Sequence, residues 1–295
     1  MQITNRFNLP GPIVKAVVND PYTKGGADYS ATELIAPVQQ TILKHRYYSQ
    51  LSEDVADRIW SLLGQCAHTV LERADVKNAL QEERIFADMM GKQISGAADL
   101  YHNETISDYK VTTVWTAIKG NRRAEWTAQL NILAYLFGTL GFEVKALQVV
   151  AIYRDWSATE AARYADRYPP KAECLSMELW TKDTQMKFIC ERLMALIEAE
   201  DKTDDELPIC SDEEMWAKAD QWAVKKIGAQ RSTKNCDSKE EAETVLASQK
   251  KPADYEIQLR SGEHTRCDKY CISSTFCSQH QAFKAATTTT GEAAQ

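Results

Sequence analysis

The chain has 295 residues, of which 44% are hydrophobic and 26% charged, so it can bury the core of one large domain or two small ones. Its net charge of −7 excludes a polycation, and any contact with nucleic acid must depend on a local basic groove. No stretch approaches the roughly 18 apolar residues of a membrane-spanning helix, and the N-terminal residues lack a signal peptide's apolar core. We therefore expect a cytoplasmic protein with no membrane partner.

The predicted elements between residues 52 and 155 follow the order helix, three strands, helix, strand. Apolar residues at helical spacing predict the first helix over 52–73. Alternating or apolar runs predict strands over 84–90, 93–101, 105–113 and 145–153, and a helix over 124–140. Residues 156–285 form a helical and cysteine-containing C-terminal part, in which 170–230 are predicted to be mostly helical, 239–249 a short helix and 255–260 a strand. The low-complexity segment 286–295 is expected to be a disordered tail.

Two carboxylates and an ammonium group converge in the predicted hairpin that ends near residue 113, whose strands are joined by a polar turn at His102, Asn103 and Glu104. Asp108 and Lys110 lie two residues apart on one strand and share a face, and Asp99 at the end of the neighbouring strand can reach them. A surface salt bridge would also explain this pattern. The alternative is a divalent metal that activates water for attack on a phosphodiester.

The preceding helix carries Gly64 and His68 one turn apart. A lone histidine can be a core residue that is hydrogen-bonded to the backbone. Glycine inside a helix costs about 1 kcal/mol relative to alanine, so Gly64 indicates close packing or the approach of a ligand. Gly96, three residues before Asp99, likewise indicates a bulge or a close backbone approach.

Four separated motifs resemble those of the PD-(D/E)XK nuclease superfamily, and more narrowly its RecB-like branch, which includes AddB-type and CRISPR-associated iron–sulfur exonucleases and many phage exonucleases. In chain order they are Gly64-x3-His68, Gly96-x2-Asp99, Asp108-Tyr109-Lys110 and Gln129. The resemblance covers about residues 30–155. It implies an α/β fold with a restriction-endonuclease-like αβββαβ core (about 52–155), a mixed central sheet, and helical N-terminal and C-terminal additions, in a single nuclease domain over 1–285.

The resemblance also implies a metal site. Asp99, Asp108, His68 and the backbone carbonyl of Tyr109 would hold Mg²⁺ or Mn²⁺, ions that suit oxygen ligands with at most one imidazole. Glu83, at the start of the first strand, matches a frequent family acid and would contact a second metal or a bound water.

Catalytic roles follow for two more residues. Lys110 would orient or help deprotonate the attacking water, and Gln129 would orient the site or contact DNA. The family pattern has a tyrosine one turn after this glutamine, where the present chain has Leu133. This departure affects an auxiliary contact rather than the metal ligands.

The activity implied is that of a metal-dependent DNA exonuclease that leaves 5′-phosphate products, in phage recombination or replication-linked processing of DNA ends within a bacterial host cell. Its partners would be single-stranded DNA or duplex ends, and a single-strand annealing or replication protein. Two alternatives stay open: a structure-specific endonuclease, and a non-catalytic DNA-binding or scaffold protein that retains the nuclease fold.

Cys267, Cys271 and Cys277, with His264 and His280 on either side, have the spacing of metal ligands. Iron–sulfur members of the family that this chain resembles carry three C-terminal cysteines, usually as C-x2-C-x5-C, and a fourth upstream of the Gly-x3-His motif. Here the spacing is C-x3-C-x5-C, and the fourth cysteine is missing where it is expected, at Ala36-Pro37.

Three interpretations of this cluster remain. A 4Fe–4S cluster could take Cys66, Cys236 or His264 as its fourth ligand. Zn²⁺ could be bound by the three cysteines with His264 or His280, or the thiols could merely pack. A bound metal would clip the C-terminal segment onto the nuclease core.

Candidate DNA contacts follow the third predicted strand. They are Lys119, Arg122, Arg123 and Trp115, with Trp126 nearby. Basic and aromatic side chains together suit single-stranded DNA, whose phosphates pair with cations while its bases stack. The alternative is that the tryptophans are core residues and the basic side chains are simply solvated.

Overall fold

The structure is a computed structural model that describes residues 1–292, with side-chain burial described through Ala286. The chain divides into two compact units. The first comprises Met1–Ala36 and Ser49–Asp201, and the second comprises Pro37–Tyr48 and Lys202–Gln295. The residues predicted as a single domain, 1–285, are therefore shared between two units.

The described residues contain both helices and strands, with several of one kind in succession at some places. The helices are α1 (Gly11–Val18), α2 (Ala31–Ile35), α3 (Val38–Arg46), α4 (Ile59–Glu72), α5 (Val114–Lys119), α6 (Arg123–Thr139), α7 (Ala158–Arg163), α8 (Lys182–Glu200), α9 (Asp212–Met215), α10 (Lys239–Ala247), α11 (Thr265–Lys269) and α12 (Ser278–Glu292). The strands are β1 (Gln2–Thr4), β2 (Tyr29–Ser30), β3 (Ser52–Asp54), β4 (Arg84–Met89), β5 (Lys92–Ala97), β6 (Leu100–His102), β7 (Thr105–Thr112), β8 (Ala146–Tyr153), β9 (Ala172–Met177), β10 (Ala217–Lys218), β11 (Gln221–Lys226), β12 (Lys234–Cys236), β13 (Tyr255–Arg260) and β14 (Glu263–His264). The protein is a mixed α/β fold.

Two mixed sheets and the helix α6 form the centre of the first unit. One sheet has the order β2-β5-β4, with β2 parallel and β4 antiparallel to β5. The other has the order β6-β7-β8-β9, in which only the central pair, β7 and β8, is parallel. α6 packs against strands of both sheets. The predicted helix, three strands, helix and strand correspond to α4, β4, β5, β7, α6 and β8, with β6 inserted before β7 and the short helix α5 inserted before α6.

A two-residue turn sets the register of the β6–β7 hairpin. His102 pairs with Thr105, and the two residues between them, Asn103 and Glu104, have φ angles of 48° and 57°. Positive φ at both central positions is characteristic of the type I′ turn, whose twist matches that of the flanking strands. The polar turn predicted here is confirmed, and its register places Asp108 and Lys110 on the strand as expected.

The helix predicted from residue 52 begins later, at Ile59. Its first residues form β3 instead, because Ser52–Asp54 pair in parallel with Gln2–Thr4. Asp54 then caps a short 3₁₀ turn by accepting a hydrogen bond from the backbone N–H of Ala56. The sequence pattern near Ser52 is compatible with a helix cap, and the pairing with a distant strand decides the outcome.

The strand predicted over 93–101 is broken at its centre. β5 ends at Ala97 in one sheet, and β6 begins at Leu100 in the other. Asp99 lies in this break. Its side chain is therefore free of strict strand alternation and can turn toward β7.

The second unit is less helical than predicted. β11 pairs antiparallel with both β12 and β13, and α10 packs on this sheet around Val224, Cys236 and Ala242. The prediction that residues 170–230 are mostly helical is wrong for 172–177 and 217–226, where β9, β10 and β11 lie. The short helix predicted over 239–249 and the strand predicted over 255–260 are confirmed as α10 and β13. Trp222 and Val224 contribute to the same cluster at strand spacing, a two-residue period that the helical interpretation overlooked.

No helix among the described residues is both long and apolar enough to cross a lipid bilayer. The predicted tail, 286–295, overlaps α12 as far as Glu292. Its last three residues lie outside the described residues.

Candidate active site

A cavity of about 740 Å³ in the first unit is lined by residues from each of the four motifs. Its volume falls within the range of small-molecule and cofactor sites. The side chains predicted to act together all line it: His68 from α4, Asp99 after β5, Asp108 and Lys110 from β7, and Gln129 from α6.

Asp108 and Lys110 form an ion pair at the centre of this group. The Lys110 Nζ atom lies 2.9 Å from Oδ1 and 2.7 Å from Oδ2 of Asp108. Asp108 is only 4% exposed. Gln129 Nε2 donates a longer hydrogen bond, of 3.4 Å, to Oδ1. Oδ2 is buried and accepts no hydrogen bond of normal geometry, so this oxygen retains its capacity to bind a cation.

Asp99 faces the same pair from the break between β5 and β6. Its Oδ2 accepts a hydrogen bond from the backbone N–H of Tyr109, and its Oδ1 lies 3.5 Å from Nδ1 of His68. Burial, followed by the charge of Asp108, raises the pKa of Asp99, whereas His68 and Lys110 oppose the rise. Two buried carboxylates side by side repel each other, and a bound cation would offset this repulsion.

His68 is held through both ring nitrogens. Nε2 lies 3.1 Å from the backbone carbonyl oxygen of Tyr109, and Nδ1 lies 3.1 Å from Oε1 of Glu82. The hydrogen bond to Glu82 is the largest cause that raises the pKa of His68 to about 9, with Asp99 adding and burial opposing. At neutral pH the imidazole is therefore protonated and donates from both nitrogens.

Glu82 is the residue that sequence reasoning missed. His68, Glu82 and Asp99 offer three ligand atoms that lie within 4.8 Å of one another. Glu83, the acid chosen from the sequence, is exposed and is not among the residues lining the cavity. Glu82 precedes β4 with a φ of +54°, and its backbone N–H donates to the carbonyl of Ala98. This left-handed conformation is uncommon for glutamate, and no local sequence pattern signals it.

The donor set fits a hard divalent cation. Carboxylates of Glu82, Asp99 and Asp108, the carbonyl of Tyr109 and one imidazole, from His68, match the preference of Mg²⁺ for oxygen and the tolerance of Mn²⁺ for nitrogen. His68 can act as a ligand only after losing a proton, so metal binding there would release one.

Gly64 and Gly96 have different roles. A Cβ at Gly64 would meet no atom within 4 Å, so close packing does not explain this glycine, which lines the cavity. A Cβ at Gly96 would lie 2.5 Å from Cδ2 of Leu133 and 3.0 Å from Cδ1 of Leu136. The close approach predicted at Gly96 is confirmed, and its partners are Leu133 and Leu136 of α6.

The predicted DNA contacts are not among the residues that line the cavity. Trp115 and Lys119 are exposed on α5. Arg122 pairs with Glu125 at 2.6 Å, and the guanidinium of Arg123 donates to a backbone carbonyl of β9 at 2.8 Å. Of the two nearby tryptophans, Trp126 is buried in the core.

Four cysteines line a separate cavity in the second unit. Cys267, Cys271 and Cys277 are joined there by Cys210, which precedes α9. The thiols of Cys210 and Cys277 both donate to Oε1 of Gln39, at 3.6 and 3.3 Å. The sulfurs of Cys210 and Cys277 therefore share one polar anchor.

Three of these thiols, those of Cys210, Cys267 and Cys277, are protonated in this environment. Burial, with contributions from Glu214 and the other three thiols, raises the pKa of Cys210 to about 12. Burial also raises the pKa of Cys267 to about 11 and raises that of Cys277. Such thiols would become thiolates on metal binding, since the metal displaces their protons.

Cys210 was not among the fourth ligands considered from the sequence. Cys236 packs with Val224 and Ala242 instead, and Cys66 is exposed on α4. The fourth cysteine was expected near Ala36-Pro37. Gln39, two residues beyond that point, accepts a hydrogen bond from Cys210, so a segment that is distant in the sequence supplies the fourth cysteine.

Histidines offer a second set of ligands beside the cysteines. Ligand atoms of His264, Cys267 and His280 lie within 4.8 Å of one another. His280 is 3% exposed, and neither of its ring nitrogens makes a hydrogen bond. Burial lowers the pKa of His280, which favours the neutral imidazole that metals bind.

No protein-family model matches the chain, and no curated protein matches it. Among solved structures, the chain is similar to the crystal structure of SSO0001, with a TM-score of 0.44 and 18% sequence identity. The match covers 66% of this chain and 88% of that chain.

Proposed function

We propose that the chain is a metal-dependent deoxyribonuclease of the PD-(D/E)XK type, with a restriction-endonuclease-like core, that acts as an exonuclease and leaves 5′-phosphate ends. The observation that carries this proposal is the convergence of Asp99, Asp108 and Lys110, with His68, in one cavity. A surface salt bridge would not require a second buried carboxylate beside the first, because two such groups repel each other.

A bound Mg²⁺ or Mn²⁺ would lower the pKa of a water molecule and neutralise charge on the phosphate. Tyr109 and Gln129 orient the carboxylates of Asp99 and Asp108 through hydrogen bonds, so both are positioned before a ligand arrives. Lys110, held by Asp108, is placed to orient the attacking water and to stabilise the charge that develops on the phosphate. Water adds to phosphorus, the P–O3′ bond breaks, and the O3′ atom leaves with a proton.

Cleavage of end-labelled DNA with Mg²⁺ or Mn²⁺ tests this proposal. We expect Asp108→Asn and Lys110→Gln each to lower the rate by about 10³-fold, because each removes several kcal/mol of charge stabilisation. Glu104→Gln is the matched control, since Glu104 forms an exposed ion pair with Lys145 outside the cavity. Equal rates for wild type and Asp108→Asn would contradict the assignment.

The same assay separates the alternatives. Degradation of linear DNA with no attack on a closed circle indicates an exonuclease, and cleavage of the circle indicates an endonuclease. DNA binding without metal-dependent cleavage would leave the non-catalytic scaffold as the explanation. Excess chelator should abolish activity, and Mg²⁺ or Mn²⁺ should restore it.

For the second unit we propose a 4Fe–4S cluster held by Cys210, Cys267, Cys271 and Cys277. Four cysteine thiolates are the ordinary ligand set of such a cluster, and the meeting of a fourth cysteine with the three C-terminal ones carries this proposal. Bound there, the cluster would link segments that are far apart in the sequence and so stabilise this unit.

Metal analysis of protein purified without oxygen tests the cluster. We expect about four irons and four sulfides per chain with visible absorbance, and loss of both in Cys210→Ser. Cys174→Ser is the matched control because Cys174 is exposed on β9 in the first unit. One zinc per chain, lost in His280→Ala, would instead identify the histidine-containing set, and metal-free protein would exclude both.

A further inference from the structure

The cavity extends beyond the residues that would hold a metal. Its lining includes a loop before β2, represented by Tyr22 and Thr23, and the strand residues Arg84 and Ser95. At about 740 Å³ it is larger than a metal ion and a single phosphate require. Part of the cavity is therefore available to substrate on one side of the reacting group.

Three lysine or arginine side chains are among the described residues that line the cavity, and their partners differ. Lys110 is paired with Asp108, and Arg58 is paired with Asp20 at 2.6 Å and with Glu53 at 3.1 Å. Arg84 has no carboxylate partner within the described residues. Its Nη1 donates to Oγ of Ser95 at 3.2 Å, and its guanidinium lies 5.4 Å from the ring centre of Tyr22.

Arg84 lines the same cavity as the proposed metal residues. It pairs with Ala97 across the β4–β5 ladder, two residues before Asp99. Its guanidinium is bonded to Ser95, which lies two residues further from Asp99 than Ala97 does. The cavity therefore presents a cationic side chain in a part that the metal residues do not occupy.

We infer that Arg84 binds a backbone or terminal phosphate of the substrate strand other than the phosphate that is cleaved. This inference rests on the proposed function, because it assigns a nucleic acid strand to the cavity. A guanidinium that is already oriented by a hydroxyl and an aromatic ring, and is not neutralised by a carboxylate, is suited to a phosphate. Arg84 is a binding residue in this assignment, and the chemistry stays with Asp99, Asp108 and Lys110.

Binding of single-stranded oligonucleotides, measured by fluorescence anisotropy without divalent metal over a series of salt concentrations, tests the inference. We expect Arg84→Gln to bind about tenfold more weakly. The slope of log affinity against log salt should fall by about 0.7, the value for one lost phosphate contact on a single strand. Arg84→Lys keeps the charge and should keep the slope. Arg163→Gln, the same charge change on exposed α7 outside the cavity, is the control and should match wild type.

Oligonucleotides with a 5′-phosphate and a 5′-hydroxyl identify the phosphate concerned. If Arg84 binds the terminal phosphate, Arg84→Gln abolishes the preference for the phosphorylated strand; if it binds an internal one, affinity for both strands falls equally. Arg84→Met, which retains the apolar stem, serves as a second neutral variant should Arg84→Gln unfold.

Wild-type affinity and slope in a folded neutral variant would overturn the inference. Because the assay contains no divalent metal, its outcome is independent of cleavage. Wild-type protein that binds DNA through Arg84 but never cleaves it would refute the proposed function alone.

Discussion

Gly96→Ala tests how tightly the sheet that carries the active-site break is packed against α6. The added methyl group would lie 2.5 Å from Cδ2 of Leu133 and 3.0 Å from Cδ1 of Leu136, both fully buried side chains with little room to move. Overpacking of this kind costs about 1–3 kcal/mol. We therefore expect the free energy of unfolding to fall by that amount, and the melting temperature to fall by about 2–4 °C for each kcal/mol.

Urea denaturation of metal-free protein gives the measurement, and Gly138→Ala gives the control. A Cβ at Gly138, inside α6, would meet no atom within 4 Å, so alanine there should be neutral or stabilising by up to about 1 kcal/mol. Leu133→Ala alone should cost about 2–5 kcal/mol. In the double variant with Gly96→Ala the loss should be smaller than the sum, because the new methyl group enters the space left by the leucine. An unfolding midpoint for Gly96→Ala at or above that of wild type would refute this account.

Two further predictions concern hydrogen bonds. Glu82→Gln should lower the pKa of His68 from about 9 toward its ordinary value of 6.5, because it removes the largest cause of the rise; NMR titration of metal-free protein would show this, and an unchanged pKa would refute it. Because folding raises the pKa of His68, the Glu82–His68 contact stabilises the fold fully below pH 6.5, and this stabilisation is lost as the pH rises through 9. Glu82→Gln should therefore make the free energy of unfolding less dependent on pH in that interval. The buried Asn131 amide donates hydrogen bonds to the carbonyls of Thr127 and Glu178 and accepts them from Trp180 N–H and Gln185. Asn131→Leu should therefore lower the free energy of unfolding by about 1–3 kcal/mol for each of these polar groups that is left unpaired. Urea denaturation would measure it, and a loss below about 1 kcal/mol would show that these groups find other partners.

Local patterns were sufficient to predict the centre of the site. Asp108 and Lys110 share a face because of the two-residue strand period, and their 2.7 Å ion pair agrees with that expectation. The turn at Asn103 and Glu104 was recognisable because polar residues tolerate the left-handed conformation that it needs. These features depend on residues close together in the chain.

Features that depend on distant pairing could not be predicted in the same way. The choice between Glu82 and Glu83 depends on a positive φ and on a backbone hydrogen bond to Ala98, and neighbouring residues encode neither. Cys210 reaches the other cysteines through contacts with Gln39 and Gln279, residues from separate helices. A single sequence shows that cysteines are present without showing which of them meet.

The packing of the helix α6 explains how Gln129 is held beside Asp108. Gln129 and Leu133 lie four residues apart on one face and both line the cavity, whereas Asn131 holds the backbone of Glu178 and Trp180 before α8. Leu133 fills the space beside Gly96, so the helix is positioned by apolar packing on one side and by the Asn131 hydrogen bonds on the other. Gln129 is thereby kept within 3.4 Å of Asp108 without any contact from a tyrosine. The orientation of Asp108 is thus a consequence of how α6 packs, and it does not depend on the side chain one turn later being aromatic.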